Sequence, residues 1–302
     1  MIALNVLLTI LQQGLCYALV AMGVYISYKI LDFPDLTVDS SFPLGGVVCI
    51  FLVQAGCPFI VALLCAFVAG GLAGLITGLL HVKAKISNLL SGIITMTGLL
   101  SINMAISKGR TLIPYSGSTT IFNNAFIKLF GSDIHIQALG KILILVIVVV
   151  LLKIILDLFL KTKTGFMLRA VGNNEQMCTS LGSDCGTYKI LGLVIANAMV
   201  GLAGAIYGQY MNYFDNTSGT GMVVIALASV IIGCALFKNA KHIKGTTAVI
   251  VGAIIYTAAL NVVIAIGVPT TYLKLVMAVI FAIILVLNGF VLNKDKKARK
   301  GA

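Results

Sequence analysis

Nine long apolar runs divide this chain, at roughly residues 3–28, 42–56, 58–80, 87–107, 138–160, 190–213, 221–237, 246–267 and 272–292. A helix that crosses a bilayer needs about 20 apolar residues, so most of these runs are long enough to span. Backbone amides cannot be left unpaired in hydrocarbon, which restricts such runs to helices with satisfied ladders. The expected fold is all-α: a polytopic membrane protein of about nine transmembrane helices, one transmembrane domain over residues 1–302. Little length is left over for a soluble domain.

Composition agrees. Hydrophobic residues make up 60% and charged residues only 10% of the chain, where soluble domains average about 25% charged. The net charge of +12 does not point to nucleic acid, because excess Lys and Arg in a polytopic protein marks cytoplasmic loops. The seven cysteines are scattered and form no CxxC, so free thiols are expected. The apolar residues up to position 28 follow no basic segment and precede no clear cleavage site, which reads as a retained first span.

Placing the basic tail 293–302 inside and counting back through nine spans gives an orientation. The inner segments then hold Lys29; Lys83 and Lys85; Lys161, Lys163, Arg169 and Lys189; Lys238, Lys241 and Lys244; and five cations of the tail, fifteen in all. The outer segments hold Lys108, Arg110, Lys128, Lys141 and Lys274. Fifteen against five puts the N-terminus outside, the C-terminus in the cytoplasm and the polar loop 161–189 in the cytosol. The segment 108–137 becomes an external loop, whose AFIKLF patch could lie along the interface.

Within loop 161–189 a short helix is expected from Asn173 to Gly182. Asn173 suits an N-cap, Gln176 can reach back to it, and Gly182 suits the left-handed position after a helix. Met177 and Leu181 fall on one face, beside Asn174 and Glu175. An ordinary solvated loop is the competing reading.

Two interruptions stand out. DFPDLTVDSSFPLGG (32–46) follows the first span and FDNTSGTG (214–221) the sixth, each ahead of a short apolar segment. Paired breaks in oppositely oriented halves point to broken helices and an imperfect inverted repeat around a central pathway. Asp35, Thr37, Asp39, Ser40 and Ser41 are candidate pathway residues, with Asn103 of the fourth span and Thr220 of the second break. The bland alternative makes Asp35 a helix cap and the polar span residues interhelical hydrogen bonders. Glycines 70, 74, 78, 204 and 208 follow the small-xxx-small rule, read as close packing within one subunit. The chain carries no GxxxxGK[ST], HExxH or GxSxG, so nucleotide hydrolysis, zinc proteolysis and nucleophile-elbow chemistry have no residues here. His81, His135 and His242 are too dispersed for a metal centre, and no metal is expected.

Four stretches carry a resemblance. DLTVDSSFPLGG is similar to the broken second span, GLITGLLHVKAKISNLLSGIITMTGL to the third and fourth spans, RAVGNNEQMCTSLGSD to the cytosolic loop, and TSGTGMVVIALASVIIG to the seventh span of permease subunits of bacterial ABC importers of the branched-chain amino acid and ribose type. The passage QGLCYALVAMGVYISYKILDFPDLTVDSSFPLGG is most like the tryptophan/tyrosine-type branch. The chain departs from the family at Cys178 and Ser180, where Ala is frequent, and at KNAKHIK, which replaces a Gly-rich turn.

The resemblance implies a transport subunit that is not itself an enzyme. It implies a second, identical permease subunit, two cytosolic ATPase subunits that bind ATP-Mg, and an external substrate-binding protein, in a bacterial cytoplasmic membrane. No cofactor is implied in this chain. Asn173, Asn174, Glu175, Gln176, Met177, Leu181 and Gly182 would form the coupling helix that docks on the ATPase. The solute would be small, with an amino acid, aromatic ones included, as the first choice, although sugar and nucleoside importers share the scaffold. An ion-coupled secondary transporter using Asp35 or Asp39 is the alternative.

Overall fold

The computed structural model describes residues 2–115, 120–122, 134–180, 182, 184–238, 240 and 243–300. Among them are eleven α-helices and one two-stranded antiparallel ribbon. The membrane helices are α1 (Ile2–Val24, extended by a π-helical turn Tyr25–Ile30), α2 (Val38–Gln54), α3 (Phe59–Val82), α4 (Asn88–Ile106) and α5 (Ile134–Phe159) in the first half. Two short helices follow, α6 (Lys163–Asn173) and α7 (Glu175–Ser180), and then α8 (Cys185–Met211), α9 (Met222–Leu236), α10 (Gly245–Ala265) and α11 (Leu273–Lys300). Among the described residues seven helices are long and apolar enough to cross a membrane, while Val38–Gln54 and Leu273–Val286 are shorter apolar helices. Each expected run thus corresponds to an apolar helix, and two of the nine are short.

Helix α8 is the centre, with α1, α2 and α3 packed around it. Lipid tails compete equally well for apolar side chains, so helices associate in a membrane through close packing and hydrogen bonds. Glycine supplies the closeness. A Cβ on Gly74 would stand 2.2 Å from the Leu193 carbonyl oxygen, and one on Gly70 2.3 Å from that of Asn197. A Cβ on Gly78 would stand 3.0 Å from the Ile190 Cα, so the 70-74-78 stripe of α3 runs antiparallel along α8. On the other side Ser41 faces Asn197 and Gly45 faces Gly201, which sets α2 parallel to α8. The glycine stripes therefore serve packing inside this chain.

The outer faces remain apolar and exposed. On α5, Leu143, Ile147, Leu151, Ile154 and Leu158 recur at helical spacing and are all exposed. On α3, Ile60, Leu64, Val68 and Leu72 do the same. Helices α1 and α8 are mostly buried, as the helices at the centre of a bundle must be.

The ribbon pairs β1 (Leu112–Pro114) with β2 (Tyr213–Asp215), with Ile113 opposite Phe214. It ties the loop after α4 to the exit of α8, and Gln54 at the end of α2 donates to the Pro114 carbonyl at 3.0 Å. Hydropathy carries no signal for a three-residue strand, and the ribbon was not expected. The AFIKLF patch lies outside the described residues.

The segment between α5 and α8 corrects one expectation. Residues 163–173 form α6, whose start is capped by the Thr162 hydroxyl accepting from the Gly165 amide at 3.3 Å. Asn173 is therefore the last residue of α6 and not a cap. Asn174 takes an extended conformation, and α7 begins at Glu175. The reason is amphipathicity: Gly165, Leu168 and Val171 bury one face of α6, and that packing outweighs the capping tendency of Asn173. Gly182 does adopt a left-handed φ of 75°. Leu181 and the Met177 side chain lie outside the described residues. All seven cysteines are free.

Candidate functional site

Both sequence breaks end at the same place. Pro43 in α2 has no amide, which leaves the Asp39 carbonyl without its usual helical partner. The 3-10 turn Asn216–Gly219 of the second break lies against that carbonyl: a Cβ on Gly219 would sit 2.0 Å from it and 2.6 Å from the Pro43 ring. Only glycine fits there. The chain then passes through Gly221, at a left-handed φ of 91°, into α9. The Asp39 carboxylate accepts the Gly221 amide at 3.1 Å and the Val223 amide at 2.8 Å. It thereby caps a helix that starts far away in sequence and has no side-chain cap of its own.

Asp35, Thr37, Ser40, Ser41 and Asn103 come together in a second group, all of them buried. Asp35 accepts the Thr37 amide at 2.9 Å and the Asn197 side-chain amide at 2.6 Å. Ser41 donates to the other end of Asn197 at 2.8 Å. The Thr37 and Thr77 hydroxyls lie 2.8 Å apart, Ser40 donates to the Met96 carbonyl at 2.8 Å, and Asn103 donates to the Ser40 carbonyl at 3.0 Å. These bonds hold the start of α2 against α3, α4 and α8. Among the described residues no Lys or Arg pairs with Asp35, so its partners are amides.

Thr220 stands apart from that group and lines a cavity of about 300 Å³. The cavity opens between α1, α2, α8, α9 and the start of α11, and its walls include Tyr17, Phe42, Tyr207, Tyr213 and Phe214. Tyr17 and Tyr207 are stacked at a centroid distance of 5.8 Å, and Phe42 meets Tyr207 at 5.6 Å. Aromatic pairs at such separations are favourable beyond their area alone. Lys274 and Asp215 add one cation and one carboxylate to the wall. A volume of this size is at the low end of about 300–1,000 Å³ typical of small-ligand sites. These aromatics escaped the sequence reading because they come from separate helices and ordinary apolar positions. Only the 207-210-213 recurrence of Tyr hinted at them. Asn197 and Thr77 likewise looked like common interhelical polar residues.

The group around α7 is separate again. Glu175 pairs with Lys189 at 2.7 Å and borders a groove with His81, Lys85, Ser87, Asp184 and Gly186. Asp184 caps α8 by accepting the Gly186 amide at 3.1 Å. Hydrogen bonding from the Thr187 hydroxyl, with that amide, holds its carboxyl below the usual carboxylate range. Cys178 and Cys185 are buried beside Val171 and Tyr188 and join α7 to α6 and α8. Helix α6 in turn leans on the end of the first span, where a Cβ on Gly172 would stand 1.9 Å from the Ile30 carbonyl oxygen.

Residues 6–286 match the family model described as branched-chain amino acid transport system / permease component. The tyrosine transport system permease protein of Clostridioides difficile is 40% identical over 97% of this chain and 95% of its own length. An uncharacterized protein of Rickettsia prowazekii is 31% identical over 93% of this chain and 96% of its own. The ribose import permease protein RbsC of Haemophilus influenzae is 24% identical over 95% and 86%.

Proposed function

The chain belongs to the family of permease components of branched-chain amino acid transport systems, and on that premise we propose that it forms the membrane pathway of an ATP-driven importer for an aromatic amino acid. The observation that carries the substrate class is the cavity walled by Tyr17, Phe42, Tyr207, Tyr213 and Phe214. Its stacked rings offer a flat apolar slot, and Lys274 and Asp215 offer opposite charges to a zwitterion. The tyrosine permease relative supports the same class.

In this reading the N-terminus is outside, the C-terminus cytoplasmic, and a second copy of the chain completes the pathway in a bacterial cytoplasmic membrane. Two ATPase subunits dock on α7 and the groove around Glu175, bind ATP-Mg and supply the energy. An external binding protein delivers the solute. Movement of α7 passes to α6 through their shared packing, and from Gly172 to the end of the first span at Ile30. From there it reaches the loop that carries Asp35 and the start of α2. Asn174, Glu175, Gln176, Met177, Leu181 and Gly182 are the proposed contact segment, with Asn173 closing α6.

Asp35 and Asp39 both hold helices in place through backbone and side-chain amides, which removes the motive for assigning them to ion coupling. The test is uptake of labelled tyrosine into proteoliposomes holding this chain, its ATPase and its binding protein. Uptake should require ATP on the ATPase side and vanish when residues 174–181 are deleted. Uptake driven by a proton gradient without ATP would overturn the reading.

A further inference from the structure

A second cavity, of about 510 Å³, opens where the first span, α5, α6 and α10 meet. Its walls carry Lys29, Lys161, Arg169 and Lys244 against a single carboxylate, Asp157. Asp157 is already engaged: Lys244 reaches it at 3.0 Å, Lys153 at 3.3 Å and the Thr246 hydroxyl at 2.6 Å. Among the described residues no carboxylate pairs with Lys29, Lys161 or Arg169. The cavity therefore has a clear excess of positive charge. Tyr25, Gly245 and Thr246 also line the cavity, the last two at the start of α10, which no side chain caps.

The surroundings say what kind of anion fits. The exposed apolar stripe of α5 runs Leu143, Ile147, Leu151, Ile154, Leu158, and Lys161, in the turn just past the end of α5 at Phe159, lines the cavity. Phe166 on α6 is 68% exposed. An amphiphile lying along this stripe would bring its polar end to the four cations. We infer that the cavity binds the phosphate headgroup of an anionic phospholipid, with the acyl chains along α5. Basic pockets between membrane helices are suited to such headgroups, whereas a free phosphate would leave the stripe unused. The inference stands apart from the transport reading, since it depends neither on the solute nor on the ATPase.

The test is native mass spectrometry of the full chain in neutral detergent, incubated with equal amounts of phosphatidylglycerol and phosphatidylcholine. Phosphatidylglycerol should be retained preferentially. Lys29→Ala and Arg169→Ala should each lower that preference about fivefold, the effect of about one cation near an anionic surface. Asp157→Asn should raise it, and both alanine variants replace exposed side chains, so folding is checked simply by monodispersity. Equal retention of the two lipids, or a preference untouched by both alanine variants, would overturn the inference. Displacement of phosphatidylglycerol by a comparable concentration of inorganic phosphate would assign the cavity to the free anion and overturn the lipid.

Discussion

The Asp39 carboxylate receives the backbone amide of Val223 at 2.8 Å across 184 residues of sequence. A side chain in the first turn of α2 thus caps the start of α9. Asp39→Ala should lower the melting stability of the detergent-purified chain by about 1–2 kcal/mol, the usual worth of a helix cap. Asp39→Asn keeps one acceptor and should lose less. Equal melting of Asp39→Ala and the parent chain would show that the cap contributes nothing.

Asn197 bridges Asp35 and Ser41, so its removal leaves a buried carboxylate short of a donor. Asn197→Ala should destabilise by about 1.5–3 kcal/mol, and Ser41→Ala by about 1 kcal/mol. The pair of melting curves checks the order. A larger effect for Ser41→Ala would place the important contact elsewhere.

Two glycines make opposite predictions from the same substitution. Gly74→Ala pushes a methyl group against the Leu193 carbonyl and should cost about 1–3 kcal/mol by forcing α3 off α8. Gly98 lies in α4 with open space where its Cβ would be. There, Gly98→Ala should be neutral or stabilise by about 0.5–1 kcal/mol, from helix propensity. Thermal melting of both variants side by side decides whether closeness or conformational entropy governs each site.

Glu175 is exposed and pairs with the half-buried Lys189, a contact worth about 1 kcal/mol. Glu175→Arg should therefore leave the melting temperature nearly unchanged. It should uncouple ATP hydrolysis from uptake in the reconstituted importer, because it replaces one of the two carboxylates of the proposed docking groove with a cation. Full coupling in that variant would take α7 out of the ATPase interface.

Tyr207 stacks on Tyr17 and meets Phe42 at the cavity wall. Tyr207→Ala should slow uptake of tyrosine about tenfold or more, as loss of one aromatic contact of 0.5–1.5 kcal/mol combines with lost burial. Tyr207→Phe should retain most of it. A uniform loss for both variants, or none for either, would separate the cavity from the transported solute.

Hydropathy alone determined that this is a helical membrane protein and where its apolar segments lie, because a bilayer dictates length and backbone satisfaction to any chain that crosses it. The glycine stripes on α3 and α8 and the left-handed Gly182 were legible for a similar reason: each is a local rule about space or φ. What the tertiary structure decided is which residues meet. Asn173 looked like a cap and closes α6, since burial of Leu168 and Val171 outweighs a single hydrogen bond. Asp35 and Asp39 looked equivalent, four residues apart on one segment, yet one is buried against Asn197 and the other caps α9. Tyr17, Phe42 and Tyr207 share a wall only because α1, α2 and α8 pack closely, and Pro43 and Gly219 face each other across two breaks in the chain. Contacts between residues this far apart depend on helix packing, which local sequence pattern does not encode.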